Sequence, residues 1–342
     1  MSDIEVKLIV SQTAWDAFVL RLLPNTFLQS WQWGQFQEQQ GEIALYLGLY
    51  RGPEQIGAAL VILVKARRGY HYIIPHGPLW LSPADVRGSI QVIATFLRAH
   101  ATTTGAVGLR IAPLLLATPA HYGIFRELGF RAAPLHIHTE LTWVLDINES
   151  LALLLKAMRK TTRQAIAKAA AAGVTTEIIT DVIGINRFWP LYEQTRQRHK
   201  FVPFSQEFLR QQFTVFASTG NAYLVMARYR GRDIAGAILI QYGNTVFYHH
   251  GASVNLAASV SGAQFTQWQA IQEAQRRGAT RYNFWGIAPA EQPDHPFTGI
   301  TVFKKGFGGF ALDYLHAQDL PLTRAYWKLW AVDHWRKYRR GF

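Results

Sequence analysis

Two lysines set between phenylalanines are the first candidates for chemistry. They lie in the stretch Val302-Phe303-Lys304-Lys305-Gly306-Phe307-Gly308-Gly309-Phe310. A surface strand needs no such run of glycines, and a phosphate-cradling loop does not normally carry three phenylalanines. Two readings are open. An ammonium held among aromatic rings is weakly screened and acts strongly on charge that develops nearby. Alternatively, both lysines are solvated turn residues.

Cationic clusters come next. Lys156, Arg159, Lys160 and Arg163 fall at i, i+3, i+4 and i+7 of an expected helix over Leu151–Ala172. No acid occurs between Leu151 and Val174, so this stripe suits a polyanion, although a solvated outer face has the same pattern. Within Glu193–Ser205, Arg196, Arg198, His199 and Lys200 crowd a helix end. They form either a phosphate clamp or the cations that any helix C-terminus favours. In Phe27–Gly41, Trp31, Trp33 and Phe36 have core-like spacing, with Gln29, Gln32, Gln35 and Gln37 available to face a groove. His136 and His138 are expected on one side of a strand ahead of Glu140; that spacing is too unspecific for a metal site, and no metal is expected. His249 and His250, at the end of a central strand, are expected in a cleft.

Composition narrows the classes. The chain has 342 residues, and its 35 Lys and Arg against 22 acids give a net charge of +13. Such an excess attracts nucleic acid, phosphorylated substrates or an anionic membrane without choosing among them. The chain contains no cysteine, which excludes a thiol nucleophile, a disulfide framework and Cys-based zinc sites. The motifs GxxxxGK[ST], GxSxG, HExxH and a GxGxxG after a strand are all missing. The start, MSDIEVKLIV, lacks the pattern of a signal peptide, and the longest apolar stretch, Ile56–Val64, is too short to span a bilayer. A cytoplasmic protein is expected. A C-terminal helix within Pro321–Phe342 carries Tyr326, Trp327, Trp330 and Trp335 among Lys328, Arg336, Lys337, Arg339 and Arg340. It either docks on the protein or lies on an anionic membrane surface.

The elements that must position these residues occur twice. Tyr46–Val64 and Tyr223–Gln241 each read as two strands around an Arg-Gly turn. Aromatic strands follow, Tyr70–Pro78 and Val246–Ser253. Helices come next, around Ser89–His100 and Gly262–Arg277, each closed by a Gly-Ala pair, Gly105-Ala106 and Gly278-Ala279. The strands VGLRIAP and RYNFWGIAP complete the copies. Hairpin, central strand, helix, strand is the order of the acyl-CoA N-acyltransferase (GNAT) type. The expected fold is α/β (α+β): two tandem GNAT-like domains with mixed central sheets flanked by helices. The expected boundaries are 1–146, with a C-terminal helix 318–342 packed on it, and 147–317. Asn148 or Ser150 is expected to cap the helix that opens the second half.

With these segments in view, the chain resembles the Fem family (FemABX) of peptidoglycan bridge-forming aminoacyltransferases. The resemblance runs through FLQSWQWGQFQEQQG, MRKTTRQAIAKAAAAGV, RQRHKF, AGAILIQYGNTVFYHHGAS, AIQEAQRRGATRYNFWGI and VFKKGFGGF. It implies a twin GNAT fold without the coiled-coil arm of longer members. It implies transfer of an amino acid from aminoacyl-tRNA, as co-substrate, to an amine of the precursor stem peptide, in lipid II or UDP-MurNAc-pentapeptide. No cofactor, a monomer and a peripheral place at the cytoplasmic membrane face are expected. By match to the family's Phe-Lys pair, Lys304 is assigned to oxyanion stabilisation with Phe303 beside it. The glycines would let backbone approach substrate, and Lys305 would face away in an extended segment. Trp33, Gln37, Arg198, Lys200, Tyr248 and His250 are the expected substrate-binding residues; Lys156, Arg159, Lys160 and Arg163 are expected to bind tRNA. The sequence departs from the family at Gln37, Ala112, Asn283, Trp285 and His250, which puts the precursor pocket in doubt. The alternatives are a GNAT-type N-acyltransferase using acyl-CoA on another amine, and a non-catalytic tRNA- or membrane-binding protein. Ser259–Gln264 is a poor match to an acyl-CoA pyrophosphate loop.

Overall fold

The computed structural model describes residues 3–66, 69–199, 202–254 and 260–340. The chain divides into two compact units, Met1–Glu140 with Asp313–Phe342, and Leu141–Leu312. The first unit opens with β1 (Ile4–Leu8), α1 (Gln12–Val19), α2 (Trp31–Gln39) and the hairpin β2 (Ile43–Arg51) and β3 (Glu54–Ala66). It continues through β4 (Gly69–Pro75), β5 (Leu79–Trp80), α3 (Val86–Thr104), β6 (Gly108–Ala112), α4 (Pro119–Glu127) and β7 (Arg131–Ala132). The second unit contains β8 (Leu141–Asp146), α5 (Leu151–Ala157), α6 (Lys160–Ala171), β9 (Thr175–Ile179), α7 (Gly184–His199) and α8 (Gln206–Ala217). Then come β10 (Ala222–Tyr229), β11 (Arg232–Tyr242), β12 (Thr245–Ser253), α9 (Gly262–Arg276), β13 (Arg281–Gly286), α10 (Thr298–Lys305) and β14 (Phe310–Asp313). The chain returns to the first unit with β15 (Gln318–Pro321) and α11 (Tyr326–Arg340), so the stretch expected as one helix from 318 opens with a strand that pairs with β6.

The repeat read from the sequence is a repeat of structure. One sheet runs β1-β2-β3-β4-β6-β15-β7, with β5 beside β3, and the other runs β9-β10-β11-β12-β13-β8-β14. Each sheet is mixed, as expected, and holds a parallel pair: β4 with β6, and β12 with β13. The helix between those strands, α3 or α9, packs its apolar stripe on the sheet. Ile90, Ile93 and Leu97 are fully buried in the first unit, as are Ala270, Ile271 and Ala274 in the second. Gly105 ends α3 in the left-handed conformation (φ 71°), where a side chain would be strained. The β10–β11 turn has positive φ at both Arg230 (49°) and Gly231 (76°), the backbone that a tight hairpin twist requires.

Three further expectations change. The strand β8, placed by the sequence at the end of the first half, pairs with β13 through Arg281–Asp146, Tyr282–Leu145 and Asn283–Val144. The division therefore falls at 140/141 rather than 146/147. The helix over Leu151–Ala172 is two helices. Met158 and Arg159 leave the helical path (ψ 155° and 144°), and this turns Met158 into the core at 2% exposure. Ser150 caps α5, its Oγ accepting from Leu153 N–H at 3.4 Å. Finally, His136 and His138 occupy an irregular segment, not a strand. His138 lies edge-on to Trp33 and His76, and burial holds it neutral, at about 3.

Candidate functional site

The second unit places most of the candidate residues around one region of its sheet. The parallel β12–β13 pairing runs from Thr245–Arg281 to Phe247–Asn283 and stops. Both strands carry an irregularity just beyond it. In β12 the partner of Leu239 is Tyr248 and that of Ile238 is His250, so His249 is an extra, bulged residue. In β13 the pairing with β8 shifts between Asn283 and Gly286. There Trp285 adopts φ 67°, and its N–H donates to Asn283 Oδ1 at 2.8 Å. A bulky residue in this region of φ is strained and persists only where its surroundings impose it. Bulges re-aim side chains, and they concentrate beside active sites. Here the Trp285 ring stands edge-on to Phe247 and His249.

Lys304 enters this region from α10. Its side chain is buried, at 5% exposure, and Nζ donates to the Gly286 carbonyl at 2.5 Å. Among the described residues no carboxylate pairs with it. Burial alone brings its pKa down to about 7. An ammonium satisfied on one of three donors, in a dry setting, is suited to meet a negative charge that forms beside it.

The lysines are therefore not in an extended segment. Both stand in the last turn of α10, one step apart on a helix, which sends them to different surroundings. Lys305 Nζ lies over the Trp143 ring at 5.3 Å. Phe303 is half-buried and edge-on to Phe307 at 5.3 Å. The glycines answer a packing demand within the unit. A Cβ at Gly309, which has φ 93°, would lie 2.1 Å from the Val144 carbonyl, and one at Gly306 would lie 2.4 Å from Thr162 Oγ1. They bring the α10 exit against β8 and α6.

The other second-unit candidates sort as follows. His250 Nε2 lies 3.3 Å from Gln212 Oε1, its ring is edge-on to Tyr192 and Phe204, and burial depresses its pKa to about 4. It is a neutral imidazole. Tyr248 is half-buried with its phenol bonded to Gln267, which also accepts from Tyr282 Oη at 2.8 Å; burial raises the Tyr248 pKa. Arg198 lies at the far end of the same strand, NH1 donating to the Ser253 carbonyl at 3.0 Å. Lys200 lies outside the described residues. The α5–α6 junction is tied to the lysine loop, because Arg159 N–H donates to the Gly306 carbonyl at 2.9 Å. Lys156, Arg159 and Lys160 are exposed there. Arg163 is not part of an open stripe. It is half-buried, and NH1 donates to the carbonyls of Lys156 (3.1 Å) and Met158, which the helix break sets free.

Trp33 and Gln37 belong to α2 of the first unit. Trp33 is 6% exposed and packs against Phe27 and Phe36 as well as His138, the core arrangement its spacing suggests. Gln37 is half-buried, on the turn that closes α2. Sequence reasoning missed Gly286 as the partner of Lys304, and also Gln212 and Gln267. The signals for Trp285 and Asn283 were their departures from the family pattern.

Residues 10–123 match the family model described as the FemAB family, and residues 156–297 match that of the acetyltransferase (GNAT) domain. The aminoacyltransferase FemA of Staphylococcus epidermidis is 26% identical over 140 residues, 40% of this chain and 33% of that protein. FemA of Staphylococcus aureus is 33% identical over 79 residues, 23% of this chain and 19% of that one. The matched segments thus span a third or less of these relatives' length. A structure described as the crystal structure of FemX superposes with a TM-score of 0.85 at 18% identity, covering 95% of this chain and 99% of that one. The fold is a tandem GNAT fold.

Proposed function

Because the chain belongs to the Fem family, we propose that it is an aminoacyltransferase. In this reading it transfers an amino acid from aminoacyl-tRNA to an amine of the peptidoglycan precursor's stem peptide, carried by lipid II or UDP-MurNAc-pentapeptide. The product is an interpeptide bridge. The observation that carries the reading is Lys304, a buried ammonium with no carboxylate partner among the described residues, beside two bulged strands.

The chemistry asks for little more. The ester of an aminoacyl-tRNA is already activated. The acceptor nitrogen attacks its carbonyl carbon, a C–N bond forms, and the carbonyl electrons move onto oxygen. Collapse of that intermediate breaks the C–O bond, and the ribose hydroxyl leaves with the proton lost by the amine. Holding the two reactants together supplies much of the acceleration. Cationic Lys304 stabilises the oxyanion, with Phe303 keeping water from it. Lys156, Arg159 and Lys160 bind tRNA phosphates, while Arg163 holds the junction that presents them. Arg198 and Lys200 bind precursor phosphate, and Tyr248 and His250 shape the acceptor site within the second unit. The protein acts as a monomer in the cytoplasm without a cofactor.

The test is a transfer assay with a labelled pool of aminoacyl-tRNAs and each precursor in turn. RNase-sensitive transfer of label to precursor supports the reading. Transfer from acyl-CoA instead, with no use of aminoacyl-tRNA, would place the chain with the acyl-CoA-dependent GNAT enzymes.

A further inference from the structure

The sequence left the C-terminal helix between docking on the protein and lying on a membrane. The structure makes these two uses of two faces. One face of α11 is docked. Tyr326 and Leu329 are buried against Val107, and Trp330 packs beside them. Tyr326 Oη donates to Asp319 Oδ2 at 2.9 Å. Asp333, the single acid in Tyr326–Arg340, is buried at 1% exposure and pairs with Arg110 at 3.1 Å.

The opposite face is of another kind. At 100° per residue, Ala331, Trp335 and Tyr338 centre on the side away from Tyr326 and Asp333, with Trp327 and Lys328 next to them. Trp335 is 57% and Tyr338 88% exposed. Cations border this apolar strip. Arg339 lies over the Trp335 ring at 4.8 Å, and Arg131 from β7 lies over Trp327 at 4.6 Å. The one acid of the helix is turned inward, so the outer face carries positive charge alone.

We propose that this face docks on an anionic lipid bilayer, with Trp327, Trp335 and Tyr338 at headgroup depth and Lys328, Arg131 and Arg339 on the lipid phosphates. Indole and phenol rings favour the membrane–water boundary, where one end is apolar and the other wet. Basic side chains near an anionic surface add attraction, about fivefold in binding for each. Trp335 stands at the centre of this face, with Lys328 and Arg339 on one flank and Ala331, Tyr338 and Trp327 on the other, a mixture of rings and cations that suits a lipid headgroup layer better than an RNA backbone, which asks for cations alone. Among the described residues no helix is long and apolar enough to cross a membrane, so the attachment is peripheral. Resting on the proposed transfer reaction, this surface favours the lipid-linked precursor as acceptor over the soluble nucleotide-linked one.

The experiment measures co-sedimentation of the full chain with vesicles of equimolar phosphatidylglycerol and phosphatidylcholine, and with phosphatidylcholine alone. The expected result is binding to the anionic vesicles only, weakened by salt and accompanied by a blue shift of tryptophan emission. Trp335→Ser with Tyr338→Ser, and separately Lys328→Glu with Arg339→Glu, should each lower vesicle binding by about tenfold or more. Both should keep the wild-type melting temperature and tRNA affinity. Equal binding to neutral vesicles, or unchanged binding by both variants, overturns the proposal. So does loss of tRNA affinity with vesicle binding intact, which would make the face a nucleic-acid surface. Transfer assays separate this idea from the enzymatic one: no transfer to either precursor refutes the reaction while leaving vesicle binding to be judged by itself.

Discussion

Among the described residues each unit buries one Lys or Arg beside the corresponding part of its sheet, and the two are treated in opposite ways. Arg110 in β6 is 6% exposed. It donates to both oxygens of Asp319, at 2.6 and 2.7 Å, and faces Asp333 at 3.1 Å. Burial opposes its charge, but the two carboxylates outweigh burial and hold its pKa above the usual range. Lys304 is as deeply buried and has a backbone carbonyl in place of a carboxylate, so burial prevails. A buried cation whose partners complete its bonding fastens structure. One left without a counter-charge costs stability and keeps its field for something that arrives later. The repeated architecture thus completes the pairing of the buried cation in one copy and leaves it open in the other.

That contrast can be broken experimentally. Lys304→Met should lower the transfer rate by about 100- to 1000-fold. It should also raise the melting temperature, because the cost of a buried charge disappears; the gain is on the order of 1–3 kcal/mol. The folded pKa lies below the free value of 10.5, so this gain is full below about pH 7 and fades as pH rises towards 10.5. A melting temperature that falls would show Lys304 to be structural.

Asp319→Ala should do the reverse. Leaving Arg110 half-paired costs about 3–5 kcal/mol, a melting temperature lower by on the order of 10 °C. Transfer per folded molecule should stay near wild type.

A smaller effect concerns pH. If the ammonium form acts, kcat/KM should decline as pH rises through the Lys304 pKa, about 7 in the free protein. A rate that climbs across the same interval would make the neutral amine a base instead. The smallest effects belong to exposed cations. Lys156→Ala or Lys160→Ala should each weaken tRNA binding a few-fold and reduce the salt slope by about 0.7–0.9. Arg163→Ala should chiefly lower the melting temperature, since its guanidinium closes the α5–α6 break.

Much of the fold was legible because hairpins and helix stops are written locally. Gly231 and Gly105 mark their turns wherever the rest of the chain goes. The α5–α6 break was not legible, since its cause is the burial of Met158 and a hydrogen bond from Arg159 to Gly306, far away in the chain. For the same reason the Arg110–Asp319 pair, 209 residues apart, leaves no local sign. At the site, the type and neighbours of Lys304 could be read. Its helical setting could not, because three following glycines suggest an open loop until the close approach of Val144 and Thr162 is seen. The basic stripe was legible as charge but not as geometry.

The second unit is continuous in the chain, whereas the first awaits β15 from beyond it. During synthesis, β6 leaves the ribosome with one edge open and Arg110 without Asp319 or Asp333. Residues 141–312 emerge next and can close their own sheet. The half begun first is thus the half finished last, and until then it offers an unpaired strand to whatever binds nascent chains.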